Sequence, residues 1–139
     1  MHQIELHPYL PQDDFVSSLQ KQGIASVAYA PLANTNPVYG SVGRREPKVL
    51  SNRVVNDIAN SRGCSASQVV LAWNMARGVA VIPKSANEAH QKENIVAADQ
   101  CKLQADDMAK IKTVTTRLRV NYFPCVALRN ACFEGLEGI

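Results

Sequence analysis

The 139-residue sequence predicts an α/β fold built on parallel strands. Two patterns predict it. Short apolar runs alternate with segments of helical periodicity: strand, helix, strand, long loop, two helices, strand, two helices. That order is the mark of βαβ units. The last run, "VAVIP" at Val79–Pro83, is apolar almost throughout, as a strand covered on both faces would be. With 46% apolar and 19% charged residues, the composition is that of one globular domain of ordinary size.

The first strand is "HQIELH". Ile4 and Leu6 point one way; Gln3, Glu5 and His7 point the other, which gives a strand with one polar face. Pro8 breaks it. "PQDDFVSSLQKQG" then reads as a short helix with Phe15, Val16 and Leu19 as its apolar stripe and Gly23 as its stop. "IASVAYAPL", Ile24 to Leu32, is the second strand. Ala33 to Leu50 is a loop rich in Asn, Pro and Gly, and loops of that length are usually lids or binding loops. "SNRVVNDIANSRG" is helical, with Val54, Val55, Ile58 and Ala59 on one face. Ser65 and Gln68 form a capping box that opens the next helix, whose buried stripe is Val69, Ala72, Trp73 and Ala76. After "VAVIP", a second S-x-x-E box at Ser85–Glu88 predicts a helix running through Ala98. "QADDMAKIKTVTT" is the last helix, its acidic residues early and its lysines late, as the helix dipole favours. The tail from Arg117 has little periodicity. Parallel strands need neighbours on both sides, so three of them leave two open edges and look like part of a larger sheet.

Several function classes fall away on composition. Net charge is +3, and the densest basic spot is the "GRR" at Gly43–Arg45; nothing here is a nucleic-acid stripe. No apolar run approaches membrane-spanning length, and the first residues lack a signal-peptide core. A cytoplasmic setting is the expectation. Cys64, Cys101, Cys125 and Cys132 show no CxxC and no histidine at metal spacing, so free thiols are expected and no metal site is assigned.

Chemistry in parallel α/β folds sits at the carboxyl ends of the strands. The candidates there are Gln3, Glu5 and His7, then Tyr29 and Asn34, then Lys84 and Ser85. Lys84 stands just ahead of a predicted helix start, where a cation is electrostatically disfavoured unless an anion is shared between it and the helix end. Tyr29 sits among small residues that leave room for a flat ligand. His90, Glu93 and Asn94 share one helical face.

"QIELHPYL", "VAYAPL", "VLAWNMARGVAVIPKS" and "KEN" occur in that order. Together they resemble the C-terminal part of the aldo-keto reductases, over Met1 to about Arg119. The tail "RVNYFPC" resembles the C-terminal loop of fungal members, which divides the chain into a partial reductase domain at 1–119 and a tail at 120–139. The resemblance implies strands six to eight of a TIM (β/α)8 barrel, with their helices. It implies hydride transfer between NADP(H), or alternatively NAD(H), and a small-molecule carbonyl compound. By position, Gln3 would bond the nicotinamide carboxamide and Tyr29 would stack on the nicotinamide. Leu32 and Asn34 would line the pyrophosphate. Lys84 and Ser85 would hold the 2′-phosphate, with His90 beside them, and Glu93 and Asn94 would meet the adenine.

Three departures accompany that likeness. The family often has arginine where this chain has His90, and an imidazole neither forks onto phosphate nor stays charged, so either the preference for NADPH over NADH is weakened or 2′-phosphate affinity depends on pH. Ala33 stands where glycine is common. The family's catalytic Asp, Tyr, Lys and His lie on earlier strands, so no catalytic residue is assigned here and the chain alone is expected to be inactive. The rival expectation is a non-catalytic nucleotide-binding relic, or a gene-model fragment, that self-associates through open sheet edges. An unrelated nucleotide binder is disfavoured, because no glycine-rich phosphate loop is present.

Overall fold

The computed structural model describes residues 1–33 and 47–121. Its elements are β1 (His2–Glu5), α1 (Asp13–Lys21), β2 (Ser26–Tyr29), a 3-10 turn (Val49–Ser51), α2 (Arg53–Arg62), α3 (Ala66–Ala76), β3 (Val79–Val81), α4 (Glu88–Ile95), α5 (Ala97–Gln100) and α6 (Ala105–Lys112). The strands form one parallel sheet in the order β1-β2-β3. Gln3 pairs with Val27, Glu5 with Tyr29, and Ser26 with Val79. The predicted α/β class and parallel strands are thus present. Among the described residues, no helix is long and apolar enough to cross a membrane.

Two apolar clusters hold these layers together. Leu6, Val16, Ala28 and Val79 pack between the sheet and α1, with Ile4 and Val81 at their edge. The larger cluster lies among the helices and includes Val55, Ile58, Val69, Val70, Trp73, Ile111 and Val114. Truncating a residue such as Ile58, 1% exposed, costs about 2–5 kcal/mol by lost transfer energy and the cavity left behind.

Local chemistry explains the helix ends. Asn52 caps α2, its side chain accepting from the Val54 and Val55 N–H groups. Gly63 ends α2 in the left-handed region at φ 64°, which glycine adopts without a Cβ penalty. Ser65 and Gln68 form the expected reciprocal box at the start of α3. At the start of α6 the Asp107 carboxylate accepts the Gln104 N–H at 2.8 Å, and Arg62 clamps the same carboxylate at 2.7 Å.

The structure departs from expectation in five places. The Ser85–Glu88 box does not form: Asn87 caps α4 by accepting from the His90 N–H, and Ser85 instead makes a local turn with Asn87. The helix therefore begins at Glu88 and breaks at Val96 rather than running through Ala98. Phe15 and Ala76 are exposed, while Asn74 takes a buried place on α3 by donating to the Leu6 carbonyl. β3 is covered on one face only: Val79 is buried, Ala80 and Ile82 are exposed. Finally, Cys64 and Cys101 are joined as a disulfide, not free thiols. No CxxC spacing announced it; folding alone brings α5 onto the α2–α3 junction.

Candidate functional site

A cavity of about 550 Å³ opens between the carboxyl end of the sheet and the helices that follow. It draws on five parts of the chain. Leu32 sits in the turn after β2 and Leu50 belongs to the 3-10 turn. Ser67 sits in the first turn of α3. Lys84, Ser85, Ala86 and Asn87 form the segment after β3, and His90, Glu93 and Asn94 lie on α4. Of the nine residues that the family likeness assigns to the cofactor, the cavity gathers six: Leu32, Lys84, Ser85, His90, Glu93 and Asn94. Asn34 lies outside the described residues. Gln3 and Tyr29 do not line the cavity; the sheet register puts them on one face of β1 and β2, together with Glu5.

The cavity has a cationic side and an acceptor side. Lys84 is exposed, and no ion pair to it forms among the described residues. Ser85 and Asn87 offer a hydroxyl and an amide beside it. Because α4 starts at Glu88, Lys84 stands four residues ahead of the helix rather than at its cap. The Asn87 carboxamide already takes the His90 N–H, so the anion-attracting part of this corner is the turn and its lysine, with the helix end behind them.

On the acceptor side, Glu93 Oε1 accepts from the hydroxyls of both Ser65 and Ser67, the latter at 2.7 Å. The Ser65 hydroxyl, opposed by partial burial and joined by Ser67 and the neighbouring His90, holds the Glu93 carboxyl below its usual range. An ionised carboxylate is acceptor-only, so this group suits a donor such as an exocyclic amine. Lys and Ser facing one corner and a carboxylate with Asn94 facing another make a site for a ligand with an anionic end and a polar planar end. Nucleotides have that chemistry, and a cavity of this size takes a nucleotide fragment.

The polar face of β1 holds a second constellation. Glu5 and His7 are buried side by side, His7 Nε2 lying 2.9 Å from Glu5 Oε1. The carboxylate also accepts from the Val120 N–H at 2.7 Å, the Asn121 N–H at 2.9 Å and the Asn121 side chain at 3.1 Å. Burial pushes the Glu5 carboxyl up, but His7 and these N–H donors outweigh it and hold it below its usual range. Tyr29 lies close enough to feel that charge. Burial first, then the Glu5 carboxylate, push its hydroxyl up, against the pull of Arg119. The segment after α6 is thereby fixed at the carboxyl ends of β1 and β2.

Sequence reasoning named Glu5 and His7 as strand-end polar groups but not as an anchor for residues 120–121. It missed Leu50, Ser67, Ala86 and Asn87 altogether. Ser67 carried a faint signal as a second serine inside a capping segment already closed by Ser65 and Gln68.

Comparison with known proteins gives this arrangement a family. The sequence model described as the aldo/keto reductase family matches residues 1–116. An aldo/keto reductase of Synechocystis is 41% identical over 119 residues, which is 86% of this chain and 36% of that protein. An uncharacterized oxidoreductase of Schizosaccharomyces pombe is 37% identical over 139 residues, 99% of this chain and 41% of that protein. A probable NAD(P)H-dependent D-xylose reductase of Emericella nidulans is 37% identical over 123 residues, 86% of this chain and 38% of that protein. The chain thus spans well under half the length of these relatives. With the match reaching from the first strand through the last helix, the chain belongs to the aldo/keto reductase family.

Proposed function

We propose that this chain carries the adenosine-phosphate side of a nicotinamide-dinucleotide site, NADP(H) before NAD(H), in an oxidoreductase that reduces aldehydes or ketones to alcohols. The three strands are taken as six to eight of a TIM barrel, which places the cavity at the carboxyl end of the barrel, where such folds do their chemistry. The observation that carries the proposal is the gathering of Lys84, Ser85, His90, Glu93 and Asn94 around one cavity.

Lys84, with Ser85 and His90, would take the 2′-phosphate; Glu93 and Asn94 would take the adenine; Leu32 would lie along the pyrophosphate, with Asn34 beyond it. The bound dinucleotide supplies the hydride. Gln3 and Tyr29, on the sheet face outside this cavity, would bond the carboxamide and stack on the nicotinamide ring. No residue of this chain is assigned as the proton donor, so the 139-residue protein is expected to leave NADPH unoxidised in the presence of aldehydes; measurable turnover would contradict this. The proposed setting is cytoplasmic.

Calorimetry with adenosine 2′,5′-bisphosphate tests the site. Binding that weakens about tenfold in Lys84→Ala, as expected for loss of a charge-assisted contact, supports it. Equal affinity for adenosine 5′-monophosphate would reject the phosphate assignment. The position of β1 and β3 at the edges of the three-stranded sheet favours a second reading, self-association of a nucleotide-binding relic through those edges. A concentration-independent monomer in size-exclusion chromatography would remove that reading.

A further inference from the structure

α4 carries three of the cavity residues and yet buries none of its own. Hydrophobic packing therefore does not set its position, although α5, just beyond, is fixed by the fully buried Ala97 and by Cys101. What binds α4 to the body is polar, and it comes from the first turn of α3. Ser65 and Ser67 both donate to Glu93 Oε1. Gln68 donates to the Glu93 carbonyl at 3.4 Å and to the Gln100 side chain at 3.0 Å. Ser65 is already committed to the α3 cap, where its hydroxyl accepts the Gln68 N–H. Ser67 has no such duty. It lines the cavity, and its hydroxyl, 2.8 Å from that of Ser65, donates to Glu93.

We infer that Ser67, assisted by Ser65, is a positioning residue that sets base selectivity by holding the Glu93 carboxylate with one oxygen engaged and the other turned to the ligand. Both hydroxyls converge on Oε1, so Oε2 keeps its lone pairs for a donor. A base with an exocyclic amine satisfies that oxygen. A base with a carbonyl in the same place sets oxygen against oxygen and is rejected, as buried acceptors without donors are. A freely rotating glutamate would turn aside and lose this discrimination. The α3 helix reinforces the arrangement, because its amino-terminal end favours a negative group. The inference rests on the assignment of the cavity to an adenine nucleotide.

The test uses the 139-residue chain and two probes, adenosine 2′,5′-bisphosphate and inosine 2′,5′-bisphosphate, which differ at the group Glu93 would read. Calorimetric affinities are measured for the wild type, Ser67→Ala and Ser67→Thr. Ser67→Ala is expected to bind the adenosine probe roughly tenfold more weakly, about one hydrogen bond to a charged group, with the inosine probe changed less than about twofold. Ser67→Thr, which keeps the hydroxyl, restores discrimination. A Ser67→Ala variant that weakens both probes equally would make Ser67 merely structural and overturn the inference, as would one that changes neither.

A nucleotide-free readout separates the two levels. Carboxyl carbon NMR of Glu93 should show its pKa rising in Ser67→Ala, because a hydroxyl donor to the carboxylate is gone. If the pKa rises while the wild type binds neither probe, the clasp exists but the nucleotide assignment fails, and base selection is overturned with it. If the pKa is unmoved, the clasp itself is absent.

Discussion

Replacing Glu5 by glutamine tests how the strand end holds the segment that follows α6. The carboxylate is 1% exposed and engages His7, two backbone N–H groups and the Asn121 amide. Glutamine keeps one acceptor oxygen, enough for Val120 and His7. Its amide nitrogen then meets the Asn121 N–H groups donor to donor, so two bonds are lost. Bonds to charged groups are worth about 1.5–3 kcal/mol each. Residue 121 is half-buried and regains part of this from water, which leaves a net loss of about 2–4 kcal/mol. The effect must depend on pH. The folded Glu5 pKa lies below its unfolded value, so its stabilisation is present above the ordinary carboxyl range and lost as pH falls through the folded value. Urea unfolding of both proteins at about pH 7 and at stepwise lower pH therefore shows a gap that closes on acidification. Tyr29 gives a second readout: with the neighbouring negative charge gone, its hydroxyl should ionise at lower pH than in the wild type. A loss under about 1 kcal/mol at neutral pH, or a gap of constant size, would refute the anchor.

Three further outcomes are expected. Ala33 adopts φ 56°, a region that costs a residue with a Cβ about 1–2 kcal/mol; Ala33→Gly removes that cost, gives back part of it as unfolded-chain entropy, and should raise stability by about 0.5–1 kcal/mol in thermal unfolding. A lower melting temperature would mean the turn is not strained. The Cys64–Cys101 bond closes a separation of 37 residues, so its reduction should lower stability by about 2–4 kcal/mol, read by urea unfolding with and without a thiol reductant. Finally, His90→Arg should tighten adenosine 2′,5′-bisphosphate about tenfold and leave adenosine 5′-monophosphate unchanged, because a guanidinium forks onto phosphate and an imidazole does not. Equal gains for both nucleotides would place residue 90 away from the 2′-phosphate.

The order of elements along the chain was legible because its signals are local, and six cavity residues were legible mainly through the ordered family motifs. "VAYAPL" and "VAVIP" are apolar runs cut by proline, and Ser65 with Gln68 has one plausible partner set. The α4 start was not legible, because Ser85 and Asn87 are both good caps and compete within three residues. Only the path of the chain after Pro83 decides between them, and it gives Ser85 a turn and Asn87 the helix. A two-residue period showed that Glu5 and His7 share a face, but it could not show that a segment 115 residues later covers them. The disulfide was hidden for the same reason: its cysteines meet only through the packing of α3 against α5.

The division of the interior into two apolar clusters has a consequence for how ligand and fold communicate. The sheet rests on a small cluster and the helices on a large one, so local opening should come first in the strands and last in α2 and α3. The cavity straddles that boundary. Lys84 and Ser85 extend from β3, whereas Ser67 and Glu93 belong to the helical body. A nucleotide gripped at both ends would therefore act as a rivet, passing the rigidity of the helices to the strands and slowing amide exchange most in the part of the sheet it scarcely touches.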